Sequence, residues 1–345
     1  MSQETRPRAE CRLPSRMPRR PSPEAIPFSR GRPAPRAASA AGKWIDAATW
    51  HALRTQGTDA HRLATGRDWW LERFGSDLLL SHQTEAGRTQ AQAELAAHGG
   101  DYDFKVERLF GKYLPQQAAE RGAPKLLQGD AALSVETTVR EAGVNFGLDF
   151  AAGYSAGFFI DQRENRAHVR RLAPGRMLNT FAYTCSFSVV AALAGAETFS
   201  IDLSRRSLTR GEENFSRNGL EPRGGAHRFI TDDVLAVLPR LARRGEKFDA
   251  IILDPPTFSR NQAGESWQVL RDFEELVALA LDVAAPRAHV LLSVNHSSVR
   301  VADLERFGRG ALRMRGRSGR FFSTRALADF PAGEGARTIW LELAN

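Results

Sequence analysis

Three acids, Asp202, Asp233 and Asp254, each close a short apolar stretch, and the third opens the run Asp254-Pro255-Pro256-Thr257-Phe258. Residues 250–253 show no polar alternation, the pattern of a central parallel strand covered on both faces, and the prolines stop it abruptly. The strand therefore delivers a carboxylate to its C-terminal edge, where open α/β sheets bind ligands. Consecutive prolines fix the backbone beyond the acid so that carbonyls face outward, and Phe258 adds a flat apolar surface. An acid acceptor, rigid carbonyls and an aromatic at this spacing suit a flat nitrogenous ring, hydrogen-bonded at its edge and stacked on its face. The plainer alternative is a loop Asp that caps a helix beside prolines that only end a strand.

The elements that must position these acids can be read from the alternation of strand and helix patterns. Residues 177–181, 198–201, 228–231, 250–253 and 289–294 read as strands, and 186–194, 204–217, 234–244, 269–284 and 301–314 as helices. Segments 320–325 and 337–343 follow without a helix between them, joined by a loop holding Pro331, Gly333 and Gly335. Helices between successive strands imply a parallel doubly wound sheet, and the last pair implies an antiparallel edge hairpin. The expected fold class is α/β, a Rossmann-like seven-stranded sheet of the class I methyltransferase type with a smaller N-terminal α+β domain.

Three regions follow. Residues 1–42, rich in Arg, Pro and Ser, cannot bury enough surface to order and read as a basic arm. Residues 43–156 form the small domain, with strands around Gly75 in 69–80, a helix over 82–97 ended by Gly99-Gly100, and a hairpin of 134–141 with 144–150 across Ala142-Gly143. Trp69 and Trp70 are either base-stacking platforms or core. Residues 157–345 form the domain of the seven-stranded sheet.

The 345 residues carry 48 Lys+Arg against 40 Asp+Glu, a net charge of +8, which points to an anionic partner such as nucleic acid. The two cysteines, Cys11 and Cys185, supply neither a disulfide framework nor a metal cluster. A cytoplasmic protein without metal or membrane partners is expected, since no apolar run approaches the roughly 20 residues that span a bilayer.

Neighbouring strand ends lie over one crevice, so the three acids can serve a single ligand. An acid after the second strand suits a ribose diol, and Asp233 suits an adenine amino group; each is alternatively a helix N-cap. The turn Phe181-Ala182-Tyr183-Thr184-Cys185-Ser186-Phe187 contains no glycine. A dinucleotide fold would need Gly-x-Gly-x-x-Gly here, which disfavours a dehydrogenase; S-adenosylmethionine (SAM) has no phosphate and accepts a looser turn.

With Gly157-Phe-Phe-Ile-Asp-Gln-Arg-Glu-Asn-Arg166, Asn179-Thr-Phe-Ala-Tyr-Thr184 and Asp254-Pro-Pro-Thr-Phe-Ser259, residues 144–345 resemble the bacterial SAM-dependent 23S ribosomal RNA methyltransferases. The resemblance implies that Asp161, Gln162, Arg163, Phe181, Tyr183, Thr184, Cys185 and Ser186 line the SAM site. It implies ribose on Asp202, adenine on Asp233, and at Asp254 a face shared with the target base. Where that family has glycine this chain has Cys185, a side chain expected to crowd the cofactor.

Methylation of cytosine C5 requires a cysteine thiolate that adds to the ring. The C5 branch carries it after the fifth strand, where this chain has Leu292-Ser-Val-Asn-His-Ser-Ser298. Guanine N7 needs only orientation of an in-plane lone pair, and the Asp254 run with Asn295 resembles that branch more closely. Expected catalytic residues are thus Asp254, Pro255, Pro256, Phe258 and Asn295, with His296 either a base contact or a loop histidine. Alternatives are an exocyclic amine, cytosine C5, or an RNA-binding protein on a degenerate methyltransferase fold. Arg309, Arg313, Arg315, Arg317 and Arg320 form a run that is either a solvated face or a phosphate grip.

Overall fold

The computed structural model describes residues 41–115, 120–256, 258–260, 266–296 and 298–345. The expected basic arm, residues 1–42, falls almost wholly outside the described residues. Strand β1 (Lys43–Trp44) pairs with β2 (Ala60–Thr65) across helix α1 (Ala47–Thr55), which starts where Asp46 accepts the Thr49 N–H at 2.8 Å. Next come β3 (Trp69–Phe74) and β4 (Asp77–His82), turning at Gly75 with φ of 66°, a conformation glycine adopts without strain. Helix α2 (Glu85–His98), capped by Thr84, then β5 (Arg108–Tyr113) and β6 (Lys125–Gln128) complete a six-stranded sheet. Alternation divides its side chains: Leu78 and Leu80 join Trp69, Leu71 and Leu95 on the α1/α2 side, whereas Leu79 and Phe110 face the other way. Trp69 is core, while Trp70 is half-buried under the Arg62 guanidinium at 5.0 Å.

Strands β7 (Glu136–Glu141) and β8 (Val144–Asp149) form the expected hairpin. After a 3-10 turn over Ile160–Gln162 come α3 (Arg163–Leu172), β9 (Arg176–Thr180), α4 (Ser186–Leu193), β10 (Glu197–Asp202), α5 (Arg205–Arg217), β11 (His227–Thr231), α6 (Val234–Arg243) and β12 (Phe248–Leu253). A short hairpin, β13 (Phe258–Arg260) with β14 (Ser266–Gln268), precedes α7 (Val269–Val283), β15 (Ala284–Val294), α8 (Val301–Met314), β16 (Gly319–Phe322) and β17 (Arg337–Leu343). The large sheet runs β11-β10-β9-β12-β15-β17-β16, with β17 antiparallel to both of its neighbours and the other pairings parallel. This is the Rossmann-like sheet with its antiparallel edge, and the strand order reverses between β9 and β12.

Helices α6, α7 and α8 bury one face of that sheet, while α3 and α4 cover the other, with Val169, Phe187 and Ala191 against Met177, Ile252 and Trp340. Residues from the first sheet, the β7–β8 hairpin, α4 and α5 share one core, including Leu79, Phe110, Phe146, Val189 and Phe215. Polar ties reinforce it: Asn145 and Gly147 donate backbone N–H groups to Asn218 and Asn214 at 2.9 and 2.8 Å.

The β16–β17 loop crosses to the first sheet. There Asp329, fully buried, accepts the Arg62 backbone N–H at 3.0 Å and ion-pairs with Arg163, while Glu334 meets the Arg62 guanidinium at 2.9 Å. Arg163, expected to line the cofactor site, therefore serves as a clamp, because its buried guanidinium is committed to Asp329. Asp329→Ala leaves that cation buried without its partner and should lower stability by about 3–5 kcal/mol, read as a reduced denaturation midpoint.

Candidate functional site

The reversal of strand order opens into a cleft of about 1420 Å³ along the C-terminal strand ends, where such sheets hold ligands. Asp202 from β10, Asp233 at the start of α6 and Asp254 after β12 all line it, with Asp161, Gln162, Phe181, Tyr183, Thr184, Ser186, Pro255, Pro256, Asn295 and His296. Phe258 opens β13, and its side chain lies outside the described residues. The arginine run expected near α8 is largely engaged: Arg315 pairs with Asp282, Arg309 with Glu305, Arg320 with Glu342, and Arg317 donates to the Leu281, Ala284 and Ala285 carbonyls.

The turn after β9 achieves its shape without glycine by placing Phe181, Tyr183 and Cys185 at φ of 52°, 49° and 60°. Three of its amides are spent internally: Ala182 on Ile201, Tyr183 on Asp202, and Cys185 on the Ala182 carbonyl. Cys185 is absent from the cleft wall, contrary to expectation. Its side chain is buried towards α5, where a Cβ on Gly211 would meet its Sγ at 2.4 Å. Glycine suits this position because φ is positive, not because the cofactor needs the space.

Asp202 accepts the Tyr183 N–H on one oxygen and the Ser204 N–H on the other, each at 2.8 Å. The carboxylate is thereby aimed, and each oxygen keeps a lone pair for a hydroxyl. Burial raises its pKa, against the lowering by those two N–H groups. Asp233 caps α6 through the Leu235 N–H at 3.0 Å, as one of its two expected roles has it, and also stands in the cleft wall.

Asp254 is pushed up to about 6 by burial first, eased by the Ser293 hydroxyl and raised further by Asp161. Ser293 Oγ donates to it at 2.6 Å, and Gln162 Nε2 donates to Ser293 at 2.9 Å and to Asp254 at 3.3 Å. Behind Gln162, Asn165 donates to Gln162 Oε1 at 2.8 Å and accepts from the Trp340 indole at 2.9 Å. Asp161 takes the Ala336 N–H at 2.9 Å, and burial raises its pKa as well.

Phe159 and Arg166 are among the wall residues not singled out from the sequence. Phe159, 40 % exposed, lies 5.7 Å from the Tyr183 ring. Arg166 is gripped by Glu141 through two 2.7 Å bonds, and its buried Nη1 has no hydrogen-bond partner among the described residues. Its place at the end of the Gly157 motif was the available signal. An orphaned guanidinium nitrogen in a cleft rich in acids fits a zwitterionic ligand: Arg166 for a carboxylate, the acids for cationic and hydroxyl groups.

A family model described as S-adenosylmethionine-dependent methyltransferase matches residues 90–311. The chain belongs to that family. The ribosomal RNA large subunit methyltransferase I of Erwinia tasmaniensis is 31% identical over 271 residues, 74% of this chain and 65% of the relative. A ribosomal RNA large subunit methyltransferase of Deinococcus radiodurans is 31% identical over 250 residues, 70% of this chain and 60% of the relative. The chain thus spans less than two thirds of the length of these curated relatives. A solved chain described as a methyltransferase complexed with SAH superposes with a TM-score of 0.70 at 21% identity, covering 87% of this chain and 82% of its own, which bears on fold alone. The cofactor is SAM, and the chemistry of the cleft is compatible with it: Asp202 would take the ribose hydroxyls, Asp233 the adenine amino group and Arg166 the methionine carboxylate. Among the described residues no cluster of three or more His, Cys, Asp or Glu side chains could hold a metal ion, and no helix is long and apolar enough to cross a membrane.

Two outcomes follow from this geometry. Asp202→Asn should weaken SAM binding at least tenfold by calorimetry, since charge-assisted hydrogen bonds contribute about 1.5–3 kcal/mol each. Gly211→Ala should destabilise by roughly 1–3 kcal/mol through overpacking on Cys185, and adding Cys185→Gly should restore most of the loss with SAM affinity unchanged.

Proposed function

We propose that the protein methylates a base nitrogen of 23S ribosomal RNA, with guanine N7 the favoured atom. The observation that carries this reading is Asp254, an aimed acceptor between rigid prolines and the acids suited to the cofactor. Above about pH 6 it is a carboxylate, able to accept the paired imino and amino hydrogens of a guanine edge and so orient the ring. Pro255 and Pro256 hold the backbone beside it, and Phe159 and Tyr183 offer aromatic faces for stacking. Bound SAM supplies an electrophilic methyl group on a sulfonium centre. Guanine N7 has no proton to lose, so these residues act by alignment and exclusion of water.

The thiol chemistry of a C5 enzyme is disfavoured by Cys185, which is buried off the cleft with its pKa pushed up to about 12. The names of the large-subunit relatives support ribosomal RNA as the substrate. A pKa near neutrality at Asp254 also favours a second reading, in which the same carboxylate takes a proton from an exocyclic amine.

Mass mapping of 23S rRNA with and without the gene tests the assignment. Loss of one 7-methylguanosine supports it, whereas loss of a methylated amine selects the second reading, and an unchanged map refutes both. Single-turnover transfer should fall with acidification below about pH 6, where Asp254 gains its proton, and level off above it. The positive charge of a bound sulfonium pulls that inflection downward. Asp254→Asn should slow transfer at least tenfold and flatten the profile while SAM affinity by calorimetry changes far less.

A further inference from the structure

The wall opposite the strand ends has the other sign of charge. Strand β5 sends Lys112 into the cleft, and Arg121 and Tyr154 stand beside it. Lys112 Nζ lies 3.9 Å from the Tyr154 ring centroid, and the Arg121 guanidinium lies 5.1 Å from the same centroid. Among the described residues neither cation has an ion-pair partner; Glu72, the acid that most supports Lys112, is taken by Arg62 at 3.1 Å. Two like charges set against one aromatic ring, with one ammonium partly desolvated, form a costly arrangement that an added anion relieves.

We propose that Lys112 and Arg121, set against Tyr154, hold backbone phosphates of the RNA strand next to the target nucleotide. This rests on the RNA methyltransferase reading and adds where the strand lies. The competing anion in the cleft is the cofactor carboxylate, and Arg166 already offers it a buried, unpartnered Nη1. Position agrees: the Tyr183 hydroxyl donates to the Ser155 carbonyl at 2.9 Å, so the segment bearing Tyr154 is tied directly to the cofactor turn. A strand crossing here passes within reach of the cleft, its phosphates on the basic wall and a base turned towards Asp254.

The test uses the full chain and unmodified 23S rRNA transcript, with affinity measured across a salt series and SAM affinity measured alongside. Lys112→Gln/Arg121→Gln should weaken RNA binding by about tenfold or more and flatten the slope of log affinity against log salt by about 1.4, the value for two single-strand phosphate contacts. SAM affinity should stay within about twofold, as a pocket held by other residues requires. Arg121→Gln alone, at an exposed position that the fold tolerates, should flatten the slope by about half as much. Lys112→Arg should retain most of the RNA affinity. An unchanged slope in Arg121→Gln and the double variant, with wild type binding and methylating the transcript, overturns the phosphate wall alone. Loss of SAM affinity in parallel assigns the pair to the cofactor carboxylate and also overturns it. A wild-type protein that neither binds nor methylates the transcript removes the RNA reading and this wall together.

Discussion

Asp254 ends a hydrogen-bond chain that runs in one direction through the protein. The Trp340 indole can only donate, so Asn165 must accept from it and give its amide to Gln162; Gln162 then gives its own amide to Ser293. Ser293 has one proton, and it goes to Asp254. Each member's role is fixed by the member before it, and the chain starts from a side chain with no acceptor capacity. The carboxylate is thus aimed by β17, α3, the 3-10 turn and β15 as well as by its own strand. A buried network of this kind is worthwhile only when every member is satisfied, which accounts for the buried Asn165 of helix α3, while its buried Arg163 and Arg166 are held by Asp329 and Glu141.

Those buried polar side chains also explain what was legible in the sequence. The strands and helices from β9 onward were readable because their apolar periods are ordinary: residues 250–253 form a central strand, and the acids at the strand ends reach one cleft. Helix α3 was not readable, because its buried positions include Arg163, Asn165 and Arg166, which pattern reasoning assigns to solvent. Its residues were visible only as a motif, and a motif does not separate the arginine that faces the cleft from the one that faces Asp329. Cys185 shows the same limit at one residue. Resemblance marked a position where glycine is usual, but whether backbone angle or space demands it depends on Gly211, 26 residues further along the chain.

The two sheets act on one cleft. Arg62 of β2 and Arg163 of α3 converge on Asp329, and the turn bearing Asp161 and Gln162 immediately precedes Arg163. A shift of β2 relative to the large sheet would therefore move Gln162, whose amide bridges Ser293 and Asp254. Electrostatics adds a second dependence. The strand ends contribute Asp202 and Asp254 and the 3-10 turn contributes Asp161, acids whose pKa values burial raises, an environment that favours a cationic ligand. The first sheet contributes Lys112, of opposite sign, to the same cleft. On the proposed reading a cationic cofactor and a polyanionic substrate meet at one point, and a cleft walled by only one of these sheets would offer charge of the right sign to only one of them.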